Sequence, residues 1–213
     1  MIYEYPSADA PLRQGDVFIG LPRIDISLKH VPVIAEDETQ IDMAWEQIAK
    51  LSDPVMAALA VKPVSGIMIS QDCDAARAPD ITFCEIRSFR AVERKCEQTG
   101  ATKKWIGIIT QQARLNQKWF YLPPDPRIGF TDRMAADFLT TIRVPREELV
   151  EMRHLRRGRL NDVAAAHFRE RIAEFFRRYP YDEWYSLDPG EMAEYRKEHP
   201  DAEPYPWQVS PRG

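Results

Sequence analysis

Apolar and polar positions change places in short runs along most of the chain, and one run stands at its centre. From Ser65 to Arg87 the sequence reads SGIMISQDCDAARAPDITFCEIR. Ile67-Met68-Ile69 is too short for an ordinary helix and meets turn chemistry at once, so it predicts a strand over Gly66 to Ser70, buried on both faces. Ile81 to Ile86 predicts a second strand. The polar loop between them carries Gln71, Asp72, Cys73, Asp74 and Arg77, where rigid strands commonly present functional groups.

Other elements follow from the same patterns. Residues Met1 to Pro11 read as a polar lead-in arm. Gly15-Asp16 makes a turn before Val17-Phe18-Ile19, and Leu21, Ile24, Ile26 and Leu28 continue an extended pattern past Pro22, giving one bent strand or two short ones. Val31 to Ile34 extends the sheet. Ile41, Ala44, Trp45, Ile48 and Leu51 fall at helical spacing behind an acidic first turn, which predicts a helix over Gln40 to Lys50, with a second short one over Val55 to Val61. Ser88 to Ala101 reads as a solvated helix or loop. Strands are predicted at Trp105 to Thr110, joined by a hairpin turn at Asn116-Gln117 to Trp119 to Leu122, and at Phe138 to Val144. Pro145 suits the first turn of a short helix. The run VAAAHFRERIAEFFRR, capped by Asn161 or Asp162, places Ala165, Phe168, Ile172, Phe175 and Phe176 on one face, the strongest helix signal in the chain. A further short helix is expected from Pro189 to Lys197.

Composition narrows the function. The chain has 213 residues and a net charge of -4, so any nucleic-acid binding needs a local basic patch. No stretch of 18 or more apolar residues and no signal-type N-terminus occur, which predicts a cytoplasmic protein with no membrane contact. The three cysteines, Cys73, Cys84 and Cys96, form no even framework and no close metal-type pair, which fits reduced thiols and neither a metal nor another cofactor.

Four pieces, in order, resemble the MazF/PemK family of toxin endoribonucleases, which are small SH3-like β-barrels: RQGDVF at Arg13 to Phe18, GIMISQD at Gly66 to Asp72, ITFCEIRS at Ile81 to Ser88, and FLTTIRVPREELVEM at Phe138 to Met152 followed by the helix at Val163 to Arg178. The resemblance implies a mainly β fold with α appendages, one SH3-like barrel domain over residues 1–178 with C-terminal helices; the helical insertion at about 37–63 and the aromatic, proline- and acid-rich extension over 179–213 have no counterpart in the compact family members. It also implies a protein of a toxin-antitoxin or phage-defence module that cleaves or binds single-stranded RNA without a metal, with an antitoxin or other module protein as partner. In that family an arginine before the central buried strand and a Thr or Ser at the end of the next look like the catalytic pair. Here Lys62 is the nearest basic residue at the first position and Arg87-Ser88 stands at the second. The alternative is a catalytically inactive barrel that serves as a protein-binding or regulatory module.

Each candidate has a structural reading beside the functional one. Arg87, Ser88, Lys62, Asp72 and Asp74 could activate a 2'-hydroxyl and stabilise a charged phosphorane, or Arg87 could pair with Asp72 or Asp74 and pin the loop. Asp72 and Asp74 could also close turns through their own backbone. Negative neighbours make Cys73 a poor thiolate. Arg153, Arg156, Arg157 and Arg159 could grip phosphates, with Gln111 nearby as a polar contact and Trp105, Trp119, Phe120 and Tyr121 stacking bases; or the basic run is a solvated turn facing the acidic tail. The helix at Val163 to Arg178 packs on the barrel or, as the other option, supports a homodimer.

Overall fold

Strands β6 (Val61–Met68) and β7 (Asp80–Ser88) form the middle of a seven-stranded antiparallel sheet in the computed structural model, which describes residues 2–92, 118–177 and 189–203. On one side of β6 lie β2 (Asp16–Ile24), β10 (Arg156–Leu160) and β1 (Tyr3–Glu4). On the other side of β7 lie β9 (Met134–Pro145) and β8 (Trp119–Leu122). The fold is mainly β. The chain divides into two units, Met1–Phe175 and Phe176–Gly213.

Where β6 and β7 pair, the sheet buries both of its faces, which is why Ile67 and Met68 are apolar without alternation. Alternation along β7 sends Cys84 and Ile86 to one face, where they meet Val17, Ile67 and Phe168 of helix α5 (Asp162–Arg177). It sends Ile81 and Phe83 to the other, where Phe18, Leu21, Met68, Ile142 and Leu149 close a second core. That second core joins β2 to β9, which stand three strand spacings apart in the sheet, on the order of 14 Å if it were flat. The sheet is therefore curled around these side chains but not closed, with β1 and β8 at its two edges among the described residues. Gly66 sits inside the curl, where a Cβ would come within 2.7 Å of Leu21 Cδ1 and 3.2 Å of Phe83 Cβ.

Several expectations change. Met1 to Pro11 is no loose arm, because Tyr3 pairs with Leu160 and is buried, and its hydroxyl donates to the Pro123 carbonyl at 2.9 Å. The segment expected to extend the main sheet and then form a helical insertion makes a separate three-stranded sheet: β3 (Val31–Ile34) between β4 (Gln40–Met43) and β5 (Met56–Ala57). Pairing of Val33 with Ile41 and Val31 with Met43 takes the residues assigned to the helix start, and only Trp45–Ile48 (α1) remains helical. Val55 to Val61 is likewise extended around β5, not helical. Val31, Val33 and Ile48 form the small core of this sheet.

The polar loop after β6 is also partly helical. Asp72–Arg77 forms α2, with Asp72 and Asp74 in a first turn where the helix dipole favours carboxylates, and Phe89–Val92 forms the short α3 directly after β7. Trp119–Leu122, Met134–Pro145, Asp162–Arg177 and Pro189–Glu198 (α6) agree closely with the sequence pattern, and Arg146–Glu151 (α4) starts directly after Pro145. Within the second unit, the Tyr195 and His199 rings lie 4.5 Å apart. The expected strand at Trp105 to Thr110 and the turn at Asn116-Gln117 lie outside the described residues.

Candidate functional site

Strand β7 decides what Arg87 can do. Successive residues of a strand project to opposite faces, so Arg87 follows Phe83 and Glu85 to one side while Ser88 follows Cys84 and Ile86 to the other. The structure does not bring the expected pair together. Arg87 meets a different carboxylate from those expected. A register shift after Cys84 sets Glu85 opposite Asp137 of β9, and Asp137 Oδ2 accepts from Arg87 Nη1 at 3.4 Å and from Thr140 Oγ1 at 3.3 Å. Asp137 Oδ1 takes the Leu139 N–H at 3.1 Å.

Beside this pair, Arg23 of β2 donates Nη1 to the buried Glu85 carboxylate and Nη2 to Asp25 Oδ1 at 2.6 Å. The hydrogen bond to Asp25, then the charge of Glu85, holds the Arg23 guanidinium above its ordinary pKa against the opposing effect of burial. A groove of about 420 Å³ runs over these residues between Pro22–Asp25 and Leu139–Arg143. Arg23, Arg87 and Arg143 each already face a carboxylate, Glu85, Asp137 and Asp80 respectively. A phosphate entering here would have to displace one of them, which costs the pairing it breaks.

The remaining members of the expected site are dispersed. Lys62 is exposed and pairs in register with Arg23, beyond Ser65–Met68, the part of β6 that pairs with β7. Asp72 does not reach Arg87: its Oδ1 accepts the Gln14 N–H at 2.8 Å and its Oδ2 the Arg13 Nε at 3.3 Å, which latches α2 to the turn before β2. Asp74 lies 3.9 Å from Arg77. Cys73 is exposed; Cys84 is buried, and burial, with the Asp137 charge second, pushes its thiol up to about 12. Among the described residues no group of three or more His, Cys, Asp or Glu could hold a metal ion.

The basic run splits into two populations. Arg156 is buried and donates to the carbonyls of Ser7 at 2.6 Å, Ala10 at 2.9 Å and Pro11 at 3.1 Å and to Asp16 Oδ2 at 3.1 Å. Arg159, also buried, takes both oxygens of Asp16 and the Pro11 carbonyl. These two guanidiniums are spent inside the protein, on an Asp16 carboxylate that has no exposure to solvent. Arg157 and His154 are exposed. The proposed stacking platform is core: Trp119 packs edge-on against Phe89 at 4.7 Å and Phe120 against Phe168 at 5.0 Å, both buried, and Tyr121 is half-buried. Gln111 and Trp105 lie outside the described residues.

Arg153 belongs to neither: it is half-buried and meets residues that the sequence pattern did not connect to it. A cavity of about 440 Å³ opens between the turn Pro11-Leu12-Arg13, the side of α2 at Asp72, Ala75 and Ala76, and Arg146, Val150 and Arg153. Three arginines line it against one carboxylate. The Nε atoms of Arg146 and Arg153 are both buried and have no hydrogen-bond partner among the described residues. Arg146 Nη2 lies 3.8 Å from Glu147 Oε1. The chain matches no family model, no curated protein and no solved structure, which leaves the chemistry of these side chains as the guide to what the protein does.

Proposed function

We propose that the protein is a MazF/PemK-like, SH3-type barrel of a toxin-antitoxin or phage-defence module that works as a protein-binding or regulatory module and not as a ribonuclease. The curled sheet and the positions of the four motif segments on β2, β6, β7 and β9 support the barrel reading. One observation carries the binding reading. Most of the large apolar side chains exposed among the described residues fall in residues 24–61: Ile41, Trp45, Leu51 and Met56 in the segment of the small sheet, Ile26 and Leu28 leading into it, and Ile24 and Val61 at the paired ends of β2 and β6. Single exposed apolar residues are ordinary, but their concentration in this segment and the strand ends that carry it marks a surface built to be covered. The small sheet gives that segment a core of its own, so it holds its side chains out on a folded support.

Against cleavage stands the site itself, where Arg87 and Ser88 lie on opposite faces of β7 and Arg87 is paired with Asp137. Mixed-sequence single-stranded RNA incubated with the full chain should remain intact. Cleavage that disappears with Arg87→Ala would replace this reading by the ribonuclease one. Co-purification with the products of neighbouring genes should recover a protein partner, and the double variant Trp45→Ser/Met56→Ser should lose it. Retention of the partner by that variant would remove residues 24–61 from the contact.

A further inference from the structure

We propose that the cavity lined by Arg13, Arg146 and Arg153 binds a terminal phosphate, carried on an apolar or aromatic body of about nucleoside size. Three features lead there. The lining charges are three guanidiniums against the single Asp72 carboxylate, an excess that suits the near-dianionic charge of a phosphomonoester better than a single carboxylate. The Nε–H groups of Arg146 and Arg153 are buried donors without acceptors among the described residues, and a buried donor is costly to leave unsatisfied. Guanidinium forks also match phosphate oxygens in pairs.

The rest of the wall sets the size and character of the ligand. Leu12, Ala75 and Val150 supply an apolar side, and about 440 Å³ lies in the range of small-molecule sites. Arg13 is already held near the opening by Asp72 at 3.3 Å, so one cation of the three is positioned before a ligand arrives. This inference stands apart from the docking reading, because no residue of the cavity belongs to 24–61. The same chemistry could come from a free nucleotide or from the 5'-phosphate end of a nucleic-acid strand.

Calorimetric titration of the full chain with adenosine 5'-monophosphate, inorganic phosphate and adenosine tests it. The two phosphates should bind and adenosine should not. Arg146→Gln and Arg153→Gln should each weaken binding about tenfold or more, the loss expected for one charge-assisted contact, while Arg169→Gln on the exposed side of α5 should not. A 5'-phosphorylated trinucleotide binding more tightly than the mononucleotide identifies a strand end as the source, and the reverse order identifies the free nucleotide. Arginine Nε–H resonances of the unsubstituted protein give a second readout: those of Arg146 and Arg153 should shift on addition of the monophosphate. Equal affinity for adenosine, unshifted Nε–H resonances, or wild-type binding by both variants would overturn the proposal.

Discussion

Arg156 and Arg159 on one side, and Arg13, Arg146 and Arg153 on the other, draw on neighbouring stretches of chain but resolve the cost of an enclosed guanidinium in different ways. The first two surround Asp16 and collect the carbonyls of Ser7, Ala8, Ala10 and Pro11, so nearly every donor has an acceptor in the protein. The other three share a cavity, one carboxylate and two Nε–H groups with no acceptor. A cluster of arginines in a sequence is therefore not one signal. The satisfied group holds the fold together, and the unsatisfied group is available for a ligand.

This contrast can be broken at several points. Asp16→Ala removes the shared acceptor and leaves two buried cations facing each other, so it should cost about 3–5 kcal/mol in denaturant unfolding or abolish folding. A cost under about 1 kcal/mol would mean that the two sets of arginines are alike. At the half-exposed Arg87, truncation to alanine leaves Asp137 with the Leu139 N–H and Thr140, so about 1–2 kcal/mol is the expected loss by the same measurement.

A pH titration sharpens the satisfied side of the comparison. The Tyr5 hydroxyl, followed by the Arg127 N–H, holds the Asp125 carboxyl below its ordinary value against the effect of burial, and the Arg127 guanidinium lies 3.8 Å from the Tyr5 ring centre. A carboxyl lowered on folding stabilises fully above its unfolded pKa of about 3.9, and that stability is lost as pH falls through the folded value. Melting temperature should therefore drop in that acid window, and Tyr5→Phe should flatten the drop; identical profiles would remove the tie. The smallest effect belongs to the cavity. Arg153→Gln takes away a buried donor that had no acceptor, so stability without ligand should stay within about 0.5 kcal/mol of wild type.

Strands at Ile81 to Ile86, Trp119 to Leu122 and Phe138 to Val144 were legible because apolar runs bounded by turn residues report local burial, although the last starts earlier, at Met134. Of the strand expected at Gly66 to Ser70 only Gly66 to Met68 is strand, the end of one that begins at Val61 in residues with no apolar run. The helix over Val163 to Arg178 was legible because its apolar face repeats for four turns. Ile41, Ala44, Trp45 and Ile48 also have helical spacing, but β3 supplies a pairing partner from outside that window and takes Gln40–Met43 into a sheet. Tertiary pairing overrode local preference. At the site, Arg87 and Arg153 could be named from sequence, whereas their surroundings could not. Asp137 reaches Arg87 only through a register shift between β7 and β9, and Arg13, Arg146 and Arg153 converge from the two ends of the domain. Adjacency in sequence also misled in one place, since it joined Arg87 to Ser88 where strand alternation parts them.

The position of β10 between β1 and β2 fixes the order in which the domain can be finished. Tyr3 pairs with Leu160 and Asp16 with Arg159, so β1 and β2 must wait for β10, which is made long after them. Until then Asp16 has neither of its cations, and the edge of β2 that later receives β10 is open to pairing with another chain. Such long-range closure is slow compared with local hairpin formation. A nascent chain that has not yet reached Arg156 therefore carries an open strand edge prone to misassembly, and the pairing of Asp16 with Arg156 and Arg159 can form only once that stretch has been made.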